Sequence, residues 1–172
     1  MLKEVIMGKI FKVNGQFKIL PLIGSILLPL TGSLLVGYLT GNSMAIYSSL
    51  QKPSFAPSGW VFMVVWPLIY ILIGISAYRI YMIRDQGKDV GKALFFYLIQ
   101  LLLNFLWSFL FFSFRLYGLA FIELVILFIF VLITFIKFIK LDRVAGFLLI
   151  PYLLWLIFAG ALNFMIWVKN EM

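Results

Sequence analysis

The sequence predicts an all-α integral membrane protein: a single domain over residues 1–172 that forms a bundle of five transmembrane helices. Three observations lead to this fold class. Hydrophobic residues make up 65% of the chain, charged residues make up only 12%, and five apolar runs are separated by polar segments. A soluble domain is about half apolar and a quarter charged, so a core surrounded by water could not hold this composition. The surrounding solvent must therefore be lipid.

Each apolar run is long enough to cross a bilayer, which requires about 20 mainly apolar residues. The predicted helices cover residues 17–39, 60–81, 93–112, 118–138 and 146–168. The later links are short, so successive helices must run antiparallel. Only the first link, residues 40–59, is long, and its segment from Lys52 to Gly59 is punctuated by prolines like an ordered turn. Links of this length in compact proteins are often functional lids.

Basic residues are distributed unevenly between the two ends of the bundle. One end carries Lys3, Lys9, Lys12, Lys18, Arg79, Arg84, Lys88, Lys92, Lys137, Lys140 and Arg143, whereas the other carries Lys52, Arg115 and Lys169. The positive-inside rule predicts a multi-pass protein of the cell membrane, with the N-terminus cytoplasmic and the first loop and C-terminus outside. The net charge of +8 lies between apolar runs, which argues against a nucleic-acid partner.

Residue types that carry most enzymatic chemistry are missing. The chain has no cysteine and no histidine, which excludes disulfides, thiolate metal sites and the usual general base near neutral pH. Glu123 is the one carboxylate within a predicted span, and its place near a helix end predicts a hydrated side chain. We therefore predict no catalytic residue, no metal site and no cofactor.

Polar and small residues recur at four-residue spacing, which places them on one helix face. In the third helix these are Gln100, Asn104 and Ser108, and such a face must point inward because amides in hydrocarbon need partners. It predicts interhelical hydrogen bonds or the rim of a pocket. In the first helix the series is Ser25, Pro29, Ser33, Gly37 and Gly41. This series predicts close helix packing or space for a ligand.

The depth of each tryptophan in the membrane distinguishes an interfacial position from one inside the bundle. At 1.5 Å per residue, Trp66 and Trp107 lie about 10 Å and 9 Å below the outer surface, and Trp155 lies about 20 Å below it. An interfacial aromatic belt accounts for Trp60 and Trp167, which stand at helix ends. Trp66 and Trp155 are too deep for that role, so we predict that they face inward and stack on a ligand.

Three motifs resemble the tryptophan-rich sensory protein, or translocator protein, family. They are Gln51-Lys52-Pro53-Ser54-Phe55-Ala56-Pro57 with Trp60 and Val65-Trp66; Gln100, Leu103-Asn104, Trp107 and Phe111-Phe112; and Pro151-Tyr152-Leu153, Trp155, Phe158-Ala159 and Leu162-Asn163. They occur in the family's order and spacing across residues 20–168. The chain departs from the family at Phe55, where Trp is usual, and at Ser58, where Pro is usual.

The resemblance implies a five-helix bundle, often a homodimer, with a pocket beneath the first loop. Members bind porphyrins such as protoporphyrin IX and benzodiazepine-type ligands. Carried over by motif, the ligand-binding residues would be Phe55, Trp60, Trp66, Asn104, Trp107, Trp155 and Ala159. The expected function is a membrane-embedded binding protein or sensor for tetrapyrroles and other bulky apolar aromatic molecules, with the porphyrin and the lipid bilayer as partners. Lys52 would pair with a porphyrin propionate.

Two other functions compete with this expectation. The first is a light- and oxygen-dependent porphyrin-degrading enzyme, which the resemblance also suggests and which would use excitable tryptophans instead of acid–base groups. The second is a small-molecule transporter. An odd number of helices and the absence of paired inverted halves with broken helices argue against transport.

Overall fold

The computed structural model describes residues 10–172, apart from the side chain of Asp85. Within this range, five helices are long and apolar enough to cross a membrane, which confirms the predicted all-α membrane bundle. Two residues of the predicted basic start, Lys3 and Lys9, lie outside the described residues.

From residue 19 onward, five long and two short helices follow one another. They are α1 (Ile19–Thr40), α2 (Ser43–Ser49), α3 (Gly59–Ile83), α4 (Gly91–Ser108), α5 (Tyr117–Leu141), α6 (Arg143–Phe147) and α7 (Ile150–Asn170). A 3₁₀ turn, Arg84–Gln86, follows α3, and α4 continues into a π-helical turn, Phe109–Ser113. The long first link thus contains a short helix, α2. The π-helical turn after α4 is of a kind that is frequent at functional sites.

The fifth predicted span, residues 146–168, consists of two helices. A turn at residues 148–149 separates α6 from α7. Asp142 caps α6 by accepting a hydrogen bond from the backbone N–H of Ala145 at 2.7 Å. Pro151 stands in the first turn of α7, where its missing N–H leaves no helical hydrogen bond unmade. This proline therefore stands where a helix begins.

Helices α1 and α3 approach each other most closely at Gly74. A Cβ atom at this position would lie 2.7 Å from the carbonyl oxygen of Ser25 and 2.7 Å from the Cα of Ile26. Only glycine allows the two backbones to come so near, which is the usual role of small residues between membrane helices. Toward α2, residues of both helices line a cavity.

The opposite end of the bundle is held by Arg79. Its guanidinium forms a fork with Asp142, with distances of 3.0 Å from Nε to Oδ1 and 2.8 Å from Nη2 to Oδ2. It also donates to the carbonyl of Ile10 at 2.6 Å. The neighbouring Tyr78 hydroxyl donates to the carbonyl of Phe11 at 3.2 Å. These contacts join the segment before α1 to the link between α5 and α6.

Candidate functional site

A cavity of about 460 Å³ lies beneath the first link. Helices α1, α2, α3, α4 and α7 all contribute to its wall, while α5 packs between α4 and α7 on the far side. The aromatic part of the wall includes Tyr47, Phe62, Trp66, Tyr70, Trp107 and Phe111. Among the described residues, no charged side chain lines it. Its volume and apolar lining are typical of a site for a small organic molecule.

The rings of α3 stand in the wall because of their spacing. Phe62, Trp66 and Tyr70 follow one another at four-residue intervals and therefore share one face of the helix. The Trp66 ring stacks on Tyr70 with centroids 5.6 Å apart and an angle of 24°. The resulting surface is a continuous aromatic plate along one side of the cavity.

Asn104 lies behind this plate and holds it in place. The Tyr70 hydroxyl donates to Asn104 Oδ1 at 2.6 Å, and Asn104 Nδ2 donates to the Tyr152 hydroxyl at 2.8 Å. All three side chains are buried, so each lost partner would leave a buried polar group unpaired. The network thus links α3, α4 and α7 at the floor of the cavity.

Trp107 is oriented by a hydrogen bond to α7. Its indole N–H donates to Asn163 Oδ1 at 3.0 Å, and Asn163 Nδ2 donates to the backbone carbonyl of Tyr117 at 2.9 Å. The Trp107 ring also stacks on Phe111 with centroids 4.9 Å apart. Phe111 belongs to the π-helical turn, which therefore places an additional ring in the wall.

The first link covers the cavity and is tied down at several points. The Tyr47 hydroxyl donates to the carbonyl of Pro57 at 2.9 Å, and burial raises the pKa of Tyr47, so the phenol keeps its proton. Gln51 and Asn170 exchange two hydrogen bonds of 3.0 Å between the link and the end of α7. The link therefore forms a lid attached both to itself and to α7.

Lys52 is part of this lid. Its ammonium group donates to the carbonyls of Tyr47, Ser48 and Leu50 at 2.7, 3.1 and 3.0 Å, and it lies 5.0 Å from the centre of the Tyr47 ring. All three N–H groups are thus engaged at the C-terminal end of α2, where a cation is favourable. In the structure Lys52 stabilises the lid helix, and its pairing with a porphyrin propionate stays a prediction.

The structure brings together some of the predicted site residues. Trp66, Trp107 and Ala159 line the cavity. Asn104 borders a smaller cavity of about 10 Å³ directly behind Trp66, Trp107 and Ala159. These four residues form one continuous region on α3, α4 and α7.

The other three predicted residues stand outside the wall. Trp155 packs behind it, with its ring 6.3 Å from Trp66 and 5.6 Å from Phe62. Phe55 and Trp60 have exposed side chains, 49% and 60% respectively, on the lid and the first turn of α3. In this arrangement Trp155 contacts the cavity only through the rings in front of it.

Several wall residues carried no assigned role in the sequence. Asn163 was part of a motif, and Tyr47 and Phe62 were not singled out. The four-residue spacing before and after Trp66 was the available signal for Phe62 and Tyr70. No local pattern marks Tyr47, because α2 reaches the cavity only through the path of the folded link.

The small-residue series of α1 serves both predicted purposes. Ser25 lies against Gly74 at the close helix contact, whereas Ser33, Gly37 and Gly41 line the cavity. The same spacing therefore supports packing in one half of the helix and open space in the other.

The side chain of Glu123 is buried, whereas the sequence predicted a hydrated side chain near the helix end. Its side chain is 6% exposed, and neither carboxylate oxygen has a hydrogen-bond partner among residues 10–172. It is buried because α5 lies between α4 and α7 and turns this residue inward. Gln100 faces inward as predicted and is fully buried, but its amide has no hydrogen-bond partner among the described residues and lines neither cavity.

Comparison with known proteins places these features in a family context. The model of the TspO/MBR family matches residues 25–168. The tryptophan-rich protein TspO of Archaeoglobus fulgidus is 39% identical over 153 residues, covering 88% of this chain and 98% of the relative. The translocator protein of Bos taurus is 35% identical, covering 88% and 90%. The tryptophan-rich sensory protein of Cereibacter sphaeroides is 37% identical, covering 69% and 72%.

Proposed function

The chain belongs to the TspO/MBR family of membrane proteins, and from this premise we propose that it binds a bulky, flat, apolar ligand within the membrane, with protoporphyrin IX as the expected ligand. The observation that carries the proposal is the cavity of about 460 Å³ with an aromatic wall. Its volume falls within the range of about 300 to 1,000 Å³ typical of small-molecule sites. A sensor role would follow from ligand-dependent changes in the lid.

The cavity chemistry favours a ring system over a polar metabolite. Trp66 and Trp107 belong to different helices, α3 and α4, and each is held by a stacked neighbour. Aromatic pairs contribute about 0.5 to 1.5 kcal/mol beyond the area they bury, so a planar ligand can gain from each ring that it contacts. Without a charged side chain in the described wall, a highly charged molecule would lose hydration without compensation.

A titration tests this proposal. Purified protein in lipid nanodiscs would be titrated with protoporphyrin IX in the dark while tryptophan fluorescence is recorded, with empty nanodiscs as the control for simple partitioning. We expect saturable quenching at a stoichiometric endpoint, because Trp66 and Trp107 would contact the ligand. Quenching that rises linearly with porphyrin and never saturates would contradict a defined site.

A second candidate function, light-driven porphyrin degradation, is favoured by one specific observation. Trp66 borders the cavity and contacts two further oxidisable rings, Tyr70 at 5.6 Å and Trp155 at 6.3 Å between centroids. An excited porphyrin bound against Trp66 would therefore lie beside a series of electron donors. Transport has no comparable observation in its support.

A further inference from the structure

The cavity wall is exposed on one side only. Its exposed residues are Leu34, Gly37, Gly41, Met44, Met63 and Pro67, which belong to α1, α3 and the start of α2. The wall residues that come from α4 and α7 are all buried or half-buried. Leu34 and Met63 are 73% and 61% exposed, so these two side chains face the cavity and the outside of the bundle at once. We call the exposed part of the wall that these residues form, on α1, α3 and the start of α2, the lateral window.

The window has defined upper and lower edges. Met44 of α2 packs directly against Gly59 at the start of α3 and closes the top. Gly74 packs against Ser25 and Ile26 and closes the bottom. At 1.5 Å per residue, Leu34 lies about 9 Å below the end of α1 and Pro67 about 12 Å below the start of α3. These depths lie within the hydrocarbon of a bilayer whose apolar core is about 30 Å thick.

On the lid side of the cavity, by contrast, hydrogen bonds hold the covering segment in place. The lid carries the Tyr47–Pro57 hydrogen bond, the three carbonyl contacts of Lys52 and the reciprocal pair between Gln51 and Asn170. A ligand arriving from water would have to break several of these bonds. A ligand dissolved in the bilayer would meet only apolar side chains and a glycine backbone.

We propose that the cavity takes its ligand from the lipid phase, through the lateral window between α1 and α3. This inference rests on the proposed ligand-binding function. It also defines the ligand class as a membrane-dissolved amphiphile with a flat apolar body. Because the described wall offers no cation, any carboxylate of the ligand stays at the α2 end of the window, near headgroup depth, while the ring system enters.

Gly37 provides a way to narrow the window without disturbing the fold. It is exposed, it lines the cavity, and a Cβ added there would meet nothing within 4 Å. Gly24 is a matched control in the same helix, because it is also exposed and open around a Cβ but lies outside the wall. Gly37→Phe and Gly24→Phe therefore make the same chemical change in the same helix, and only the first obstructs the window.

The test is stopped-flow binding and release of protoporphyrin IX in nanodiscs, in the dark. Gly37→Phe should lower the association and dissociation rates together by roughly tenfold, equivalent to about 1.4 kcal/mol of added barrier, while Gly24→Phe matches the wild type. Leu34→Ala, which widens the window, should raise both rates. Asn170→Ala, which releases the lid, should leave the association rate unchanged.

Three results would contradict ligand entry through the lateral window. They are equal rates for the two phenylalanine variants, a Gly37→Phe effect confined to faster dissociation, or faster association in Asn170→Ala. If Gly37→Phe obstructs the entry route, porphyrin should bind and dissociate slowly but reach the same saturation as in the wild type. If the substitution damages the cavity wall instead, affinity should fall without slower association. Absence of saturable binding in the wild type would refute the proposed function itself, and the window with it.

Discussion

The indole N–H of Trp107 donates to the side-chain oxygen of Asn163 across 3.0 Å, which fixes the face that this tryptophan turns toward the cavity. Both residues line the cavity, and Asn163 also donates to the carbonyl of Tyr117 at 2.9 Å. One amide therefore joins α4, α5 and α7 at the α2 end of the bundle. Its position makes the orientation of a ligand-facing ring depend on a residue of another helix.

Replacing Asn163 with Leu should weaken both stability and ligand binding. The change leaves the Trp107 N–H unpaired, at a cost of about 1 to 3 kcal/mol for a buried group, and removes the side-chain hydrogen bond to the Tyr117 carbonyl. Thermal unfolding in detergent and porphyrin titration measure the two effects separately. Leu154→Ala, an exposed change on the same helix, is the control and should leave affinity unchanged. Unaltered affinity in a folded Asn163→Leu protein would contradict the assigned role.

The tryptophans should differ in their contribution to affinity according to their places. Trp66→Leu keeps apolar bulk but removes a ring from the wall, so we expect a loss of about 1 kcal/mol in porphyrin binding. Trp155→Leu should cost less, because this ring supports Trp66 from behind. Trp60→Leu should have no effect, since the side chain is 60% exposed outside the wall. Equilibrium titration checks the order, and a loss confined to Trp60→Leu would reverse the assignment.

Any porphyrin loss should require light. The sequence contains no histidine or cysteine, so acid–base or thiolate chemistry in the dark has few groups to use. We expect dark binding without product, and strict light and oxygen dependence if product forms. Trp66→Phe combined with Trp155→Phe should reduce product more than binding, because phenylalanine stacks but resists oxidation. Absorbance spectra taken in light and darkness test this; steady conversion in darkness would contradict it.

The lid and the C-terminus should face the outside of the cell. The prediction rests on the eleven-to-three split of basic residues, and the chain offers a clean background because it has no cysteine. Ser48 on α2 and Gln86 at the opposite end are both exposed. In intact cells, Ser48→Cys should react with a membrane-impermeant thiol reagent and Gln86→Cys should react only after permeabilisation. The opposite labelling pattern would invert the topology.

The ion pair between Arg79 and Asp142 should make stability depend on acid pH. Burial alone would raise the pKa of Asp142, but hydrogen bonds from Arg79 and the Ala145 N–H, together with the Arg79 charge, hold the pKa below its ordinary value. The folded-state pKa is thus lower than the unfolded value of about 3.9. The stabilisation is complete above that value and is lost as the pH falls through the folded-state pKa.

Asp142→Asn should therefore lower Tm at neutral pH, because breaking a buried pair costs about 3 to 5 kcal/mol. The difference from the wild type should shrink as the pH falls below about 4. Asp89→Asn removes an exposed carboxylate and is the control. Thermal unfolding measured from neutral to acid pH tests the prediction, and a difference that stays constant with pH would contradict it.

The tryptophans show which features of the site could be predicted from the sequence and which could not. Trp66, Trp107 and Ala159 were expected to bind ligand, and the structure places all three in the cavity wall, while binding itself stays a prediction. Trp155 was expected beside them by depth and motif, yet it packs behind Trp66. Depth along a helix follows directly from residue count, but the direction of a side chain around the helix axis depends on the rotation that packing imposes. Two tryptophans with similar sequence signals can therefore have different surroundings.

The apolar surroundings, the number of spans and the family could be read from the sequence, because apolar length and motif order are properties of a linear chain. Which helix faces meet depends on the packing of the folded bundle. The close contact at Gly74, the engagement of Lys52 by the carbonyls of α2 and the burial of Glu123 each depend on atoms from segments distant in sequence or on the path of the folded link. The lateral window is also a tertiary feature, since its residues come from α1, α2 and α3 and meet only in the folded bundle. Every span is similarly apolar, so hydropathy carries no information about which residues of two helices line a cavity.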